Sequence, residues 1–200
     1  MTRFCSDGSV STEIVTGFLN EGIYEIEGGD TGLYGLSDTG VYNFNGHILI
    51  PGRFEDISVG RTFNVGISST QGSADENCLY SWGAGEFGEL GLGPMMTHVE
   101  KASKINYKAK FVQVDSGVNH SLAVDKSGNV FAWGQNFERQ LGLYSKNSDS
   151  LRKVNPLCET EDVLFTPRFI PLSLSNPILK VACGHSFSAV VTKNGEIWTW

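Results

Sequence analysis

The sequence predicts an all-β chain assembled from repeated sheet units, and three observations carry that reading. "NVFAWGQNFERQLGL" (129–143) and "LYSWGAGEFGELGL" (79–92) write one motif twice: an aromatic, Trp-Gly, a polar turn and Leu-Gly-Leu. "GVNHSLAVDKSGNVFAW" (117–133) and "GHSFSAVVTKNGEIWTW" (184–200) align without a gap. They are identical at Gly117/Gly184, Ser121/Ser188, Val124/Val191, Lys126/Lys193, Gly128/Gly195 and Trp133/Trp200. Glycine supplies 24 of 200 residues and sits singly between apolar clusters, the pattern of many tight turns between short strands. A small sheet unit cannot bury both of its faces alone, whereas copies stacked around an axis can, which gives a propeller or a related array.

Taken in order, residues 1–22 form an N-terminal segment expected to contribute one strand. Residues 23–53 read as a degenerate unit: Gly29 and Gly40 are spaced like Gly117 and Gly128, and Phe44 replaces the tryptophan. Residues 54–107 hold a fuller copy, with Gly60 in the place of Gly117. Trp82 follows Gly60 by 22 residues where Trp133 follows Gly117 by 16, so residues 68–77 read as an insertion. In residues 108–177, "FVQV", "SLAV" and "NVFAW" are short β-branched or aromatic strands, and Gly128 in "DKSG" suits a positive φ. This unit carries a polar insertion over 144–165. Residues 178–200 form a truncated unit, ending at Trp200 without the Gly83 or Gly134 that follows the other tryptophans. The expectation is therefore three to four units of a longer, incomplete array, with an open sheet edge that leaves room for self-association.

Spacing excludes competitors. The strand-end glycines Gly29, Gly60, Gly117 and Gly184 are 31, 57 and 67 residues apart. The last two steps exceed the roughly 40–50 residues of WD40 and kelch units, and no 3.6-residue apolar period supports a helical solenoid. Hydrophobic residues at 40% and charged residues at 18% suit a globular core. A net charge of −7 argues against direct nucleic-acid binding, which favours a basic surface. Lys101, Lys104, Lys108 and Lys110 read as a solvated connecting segment. Cys5, Cys78, Cys158 and Cys183 form no CxxC pair, which leaves little support for a zinc site or a disulfide framework. "MTRFCSDGSVSTE" lacks the apolar stretch of a signal peptide and no apolar run reaches membrane length, so an intracellular location, cytoplasmic or nuclear, is expected.

At these motifs the chain resembles the regulator of chromosome condensation repeat family. That family's unit runs as an apolar strand, Cys-Gly, x-x-His-Ser-Leu-Ala-Leu, a glycine turn, Tyr-Ser-Trp-Gly and Gly-Gln-Leu-Gly-Leu-Gly. "VACGHSFSAVV", "GVNHSLAVDKSGNVFAWGQNFERQLGL" and "YSWGAGEFGELGLG" match it over about residues 54–200. The resemblance implies a β-propeller of four-stranded blades, of which this chain holds part. It implies that Trp82 and Trp133 are pegs between blades, that Gly83 and Gly134 let the chain turn sharply away, and that Leu90, Leu92, Leu141 and Leu143 fill the space between blades. It further implies a non-enzymatic module presenting loops to a protein partner. The alternative is guanine nucleotide exchange on a Ran-like small GTPase, in which a protruding wedge distorts the nucleotide site without a catalytic acid or base. Light sensing through clustered tryptophans has only Trp82, Trp133, Trp198 and Trp200 to draw on.

Residues that could carry chemistry have plain structural readings. His120 in "GVNHS" is paralleled by Phe63 and Phe187, which cannot do acid–base work, so a structural role is expected. His185 reads as a turn residue, and His47 and His98 as connector residues. No GxSxG, HExxH or phosphate loop ending in Gly-Lys-Ser/Thr occurs. "GAGEFG" (83–88) leads into "ELGLG" rather than a helix and is no dinucleotide site. "SADEN" (73–77) lacks calcium-loop spacing. No catalytic, cofactor or metal residue is assigned. The structural positions are Gly60, Trp82, Gly83, Gly117, His120, Gly128, Trp133, Gly134, Gly184, Gly195 and Trp200, with the two insertions the places to look for partners.

Overall fold

The computed structural model describes residues 2–4, 10–12, 22–30, 32–69, 76–143, 162–172 and 176–200. Among them there is no helix. Two short strands, β1 (Thr2–Phe4) and β2 (Val10–Thr12), pair with each other. The N-terminal segment thus supplies two strands rather than one.

Four antiparallel sheets follow in chain order. Sheet I contains β3 (Glu25–Gly29), β4 (Gly32–Ser37), β5 (Gly40–Asn43) and β6 (Ile48–Pro51). Sheet II contains β7 (Phe54–Val59), β8 (Phe63–Ser68), β9 (Leu79–Ala84) and β10 (His98–Lys104). Sheet III contains β11 (Phe111–Ser116), β12 (His120–Asp125), β13 (Val130–Gln135) and β14 (Val163–Ile170). Sheet IV contains β15 (Ile178–Cys183), β16 (Ser188–Thr192) and β17 (Ile197–Thr199). Each sheet is a meander, and the first strands β3, β7, β11 and β15 lie successively side by side around one axis. This is a four-blade propeller arrangement. The antiparallel order puts the strand-end glycines and the third-to-fourth-strand connections on one face, the glycine face. The second-to-third-strand hairpins lie on the other.

Apolar alternation builds the seams. Tyr34, Leu36, Val41 and Ile50 of sheet I meet Phe54, Ile57 and Trp82 of sheet II. Phe63, Val65, Ile67 and Leu79 of sheet II join Phe111, Val114 and Trp133 of sheet III, and that core runs on to Ile178, Val181 and Val190 of sheet IV.

Several expectations are corrected. Lys101 and Lys104 lie in β10 rather than in a connector, and His98 opens that strand. Its residues are half-buried or exposed, without regular alternation, as in the outermost strand of a sheet. The end of the 144–165 insertion is strand: Val163, Leu164 and Phe165 begin β14, while 144–161 lies outside the described residues. Of the 68–77 insertion, Ser68 closes β8 and 70–75 lies outside the described residues, so "SADEN" is described only at Glu76 and Asn77. Phe44 sits exposed in the β5–β6 turn; the buried aromatic of β5 is Tyr42.

Candidate protein-interaction face

The repeated residues act together at the seams. Gly60, Gly117 and Gly184 each end a first strand, and none has a positive φ. A Cβ there would collide with the ring three residues on: Phe63, His120 and Phe187 respectively. Glycine is required because the ring occupies the space a Cβ would take, and at Gly117 the Gly184 carbonyl oxygen would also stand 2.4 Å away. Gly83 and Gly134 do not turn the chain away as expected. Both stay within strands β9 and β13 at φ of +104° and +101°, and a Cβ would lie 2.8 Å from the Cα of Phe63 or His120 on the paired strand. Gly128 and Gly195 occupy the hairpin turns at +81° and +88°.

The tryptophans reach backward. Trp133 is fully buried, and its Nε1–H donates to the Glu89 carbonyl of sheet II's outer connection at 2.7 Å. Trp200 donates to the Gln140 carbonyl of sheet III at 2.9 Å. Glu89 and Gln140 precede Leu90 and Leu141, which are fully buried, while Leu92 and Leu143 are half-buried against the same core. Gly91 and Gly142, between the leucines, stand at φ +67° and +68°, and the next indole lies directly over each. Leu-Gly-Leu is therefore the socket and Trp the peg. Sheet I has only the turn 44–47 where sheet II has residues 85–97. Accordingly Trp82 is buried edge-on to Tyr34, centroids 6.5 Å apart, with no acceptor for its Nε1 among the described residues.

A second tie was missed in the sequence. Asp56 Oδ2 accepts the Val114 N–H at 2.9 Å, and Gln113 receives the Val181 N–H at 2.7 Å while donating to its carbonyl at 2.9 Å. Two residues along, Ser58 Oγ accepts the Ser116 N–H, and Asp115 Oδ2 accepts the Cys183 N–H at 2.7 Å. β7 thus pins β11, and β11 pins β15, through the third and fifth side chains of the strand. The shared feature is polarity, Asp or Gln and Ser or Asp, which identity matching passes over. Burial, reinforced by Glu25, Asp115 and Glu27, pushes the Asp56 carboxyl up to about 7 despite the Val114 hydrogen bond.

The histidine is not a catalyst in waiting. His120 is fully buried, and its Nε2 lies 3.1 Å from Ser188 Oγ. Ser188 spends its proton on the Gln140 carbonyl at 2.6 Å, so His120 donates to it. Desolvation lowers the imidazole to about 4 and keeps it neutral. Nδ1 is unpaired among the described residues. Exposed His185 hydrogen-bonds Ser186 next to it. Cys183 is half-buried and free, with its thiol pushed up by burial. Among the described residues no three His, Cys, Asp or Glu side chains gather to hold a metal.

On the glycine face the fold brings loop residues of all four sheets together. Gly29, Gly60, Gly117 and Gly184 converge with Asp30, Arg61 and His185 around a shallow depression of about 290 Å³ at the axis. Beside it, Arg61, Thr62, Glu86, Phe87 and Asn119 line a second of about 260 Å³, floored by Glu89. Phe87 stacks edge-on to Phe137 of the next connection, centroids 5.8 Å apart, and Phe137 is 52% exposed. Glu89 is buried where the repeat pattern has glutamine. Desolvation raises its carboxyl to about 7 against the Phe87 N–H it accepts at 2.7 Å.

A family model described as "Regulator of chromosome condensation (RCC1) repeat" matches residues 76–124 and 127–191, more than half of the chain, and a second model of the repeat matches 111–140. The E3 ubiquitin-protein ligase HERC2 of Mus musculus is 33% identical over 129 residues, which is 62% of this chain and 2% of that protein. The guanine nucleotide exchange factor SRM1 of Saccharomyces cerevisiae is 28% identical over 142 residues, 61% of this chain and 30% of that one. RCC1 domain-containing protein RUG3, mitochondrial, of Arabidopsis thaliana is 30% identical over 176 residues, 87% of this chain and 36% of that one. Among solved structures, yeast RCC1 (Prp20) bound to Kap60 superposes with a TM-score of 0.67 at 18% identity, covering 92% of this chain and 44% of that one. Human WBSCR16 gives 0.66 at 20% identity, covering 84% and 44%. The chain thus spans less than half the length of each of these relatives.

Proposed function

As the chain belongs to the regulator of chromosome condensation repeat family, we propose that it is a non-enzymatic interaction propeller that receives a protein partner on its glycine face. The observation that carries this is the juxtaposition of exposed Phe137 and Arg61 with half-buried Phe87 beside the axis depression. Aromatic and arginine side chains are the residues that most often anchor protein interfaces. A photo-crosslinker placed at Phe137 tests it against the same group at Lys101 on the outer strand β10. Products formed at 137 and not at 101 support the face, whereas equal labelling at both sinks it. The proposed location is nuclear or cytoplasmic; one relative is named as mitochondrial. Among the described residues no helix is long and apolar enough to cross a membrane.

A second reading, nucleotide exchange on a Ran-like GTPase, is favoured by the likeness to the yeast exchange factor. It requires faster release of fluorescent GDP from such a GTPase in stopped flow. Release at the intrinsic rate would remove it.

A further inference from the structure

Sheets II and III carry the same turn, closed by different side chains. Gln140 Oε1 accepts the Glu138 N–H at 2.9 Å, and at the matching repeat position Glu89 Oε2 accepts the Phe87 N–H at 2.7 Å. Both side chains are buried, at 1% and 2% exposure. An uncharged amide therefore meets the turn's needs in full, and a carboxyl there adds a desolvation cost that the fold does not require. Nothing within the chain offsets that cost. The Glu89 carboxyl accepts main-chain N–H groups, and the side-chain charge acting on it is that of Glu86, of like sign. Arg61 lines the same depression but forms no ion pair with either carboxylate among the described residues. The depression, about 260 Å³, lies over Glu89 at the junction of sheets II and III, so residues on both of its sides belong to this chain. Glu86 is exposed at it, Phe87 is half-buried, and Asn119 comes from sheet III. Gly85 leaves the carboxyl its room: a Cβ there would stand 2.8 Å from Glu89 Oε2, whereas sheet III has Asn136 in that place.

We propose that this depression is a socket for an arginine side chain of a protein partner, with Glu89 as the counter-ion at its floor and Phe87 as the stacking wall. The proposal rests on the reading of the glycine face as the interaction surface and names the chemistry it selects. Charge complementarity picks the occupant: a carboxylate held out of water without a counter-ion gains most from a cation that enters the same enclosed place. Arginine suits it better than lysine. Its guanidinium is planar and weakly hydrated, and can lie against an aromatic ring while donating hydrogen bonds from its edge. Glu86, exposed beside the opening, adds attraction for the same charge.

Amide chemical-shift titration of the 200-residue chain with N-acetylarginine amide at about pH 8 tests this. The control is the citrulline analogue, which has nearly the same shape and no charge. Shifts at the Phe87, Glu89 and Asn119 amides should saturate with a midpoint on the order of a few millimolar. The citrulline analogue should bind at least about tenfold more weakly. Glu89→Gln should fold, since Gln140 closes the same turn, and should weaken arginine binding at least about tenfold. Absence of a saturable shift at these amides, equal binding of citrulline, or unchanged binding in Glu89→Gln overturns the proposal. Any of these results alongside selective crosslinking at Phe137 removes the socket and leaves the face standing, whereas equal crosslinking at 137 and 101 removes the face itself.

Discussion

The Trp133 indole donates its proton to the main-chain carbonyl of Glu89, 2.7 Å away in the neighbouring sheet. Trp82 holds the equivalent place one sheet earlier, with no such acceptor among the described residues. Replacing either by phenylalanine removes similar ring volume, but only Trp133→Phe strands a buried carbonyl. We expect Trp133→Phe to lose about 1–3 kcal/mol more stability than Trp82→Phe, and Trp133→Ala to lose roughly 3–5 kcal/mol. Urea midpoints measure the difference; equal losses for the two phenylalanine variants would show that the hydrogen bond is not what ties the sheets.

The strand-end glycines share a motif but not a price. At Gly60 and Gly117 the ring in the way, Phe63 or His120, is fully buried, so an alanine methyl must displace packed core. At Gly184 the ring is Phe187, more than half exposed and free to swing. Thermal unfolding should show losses on the order of 2 kcal/mol or more for Gly60→Ala and Gly117→Ala, and about 1 kcal/mol or less for Gly184→Ala.

These contrasts mark what could be read from the chain. Trp-Gly, Leu-Gly-Leu and the Gly-x-x-aromatic spacing are legible because each serves the same backbone geometry in every sheet. Strands β10 and β14 were not, because "HVEKASK" and "VLFTPRFI" lie at sheet margins where half the residues meet water and apolar alternation breaks down. The seam-pinning side chains Asp56, Ser58, Gln113 and Asp115 were hidden for another reason: any polar acceptor serves, so residue identity drifts. The glycine face joins residues far apart in sequence, and only superposing the repeats brings Arg61 and His185 to one depression.

Gln113 satisfies both the N–H and the carbonyl of Val181. Gln113→Ala should cost about 1–3 kcal/mol and accelerate hydrogen exchange at the Val181 amide. Lys180→Ala, at the same position one sheet on and exposed, should leave exchange and stability unchanged. A slow Val181 amide in Gln113→Ala would mean that water or another group replaces the glutamine.

Glu89 sets a pH dependence. Burial raises its carboxyl in the folded state to about 7, above the ordinary glutamate value of about 4.5. The native protein therefore holds a proton that the unfolded chain gives up. The native state gains most below about 4.5, the advantage is lost as pH rises through about 7, and above that a penalty on the order of 3 kcal/mol remains. Glu89→Gln keeps an acceptor for the Phe87 N–H and cannot ionise. It should stabilise the protein clearly at pH 8 and little at pH 4.5. A gain independent of pH would show that Glu89 is not the titrating group; Asp56→Asn should behave similarly through the Val114 N–H.

Because the Trp133 and Trp200 indoles are each answered by a carbonyl in the connection before them, mechanical support along this part of the arc flows in one direction. Damage to residues 85–91 should loosen the sheet that follows before the one that contains them, so melting would spread toward the C-terminal blades rather than outward from the lesion. A molecule gripping Phe87 or Phe137 from outside would hold those same connections still, stiffening the blade downstream of where it binds.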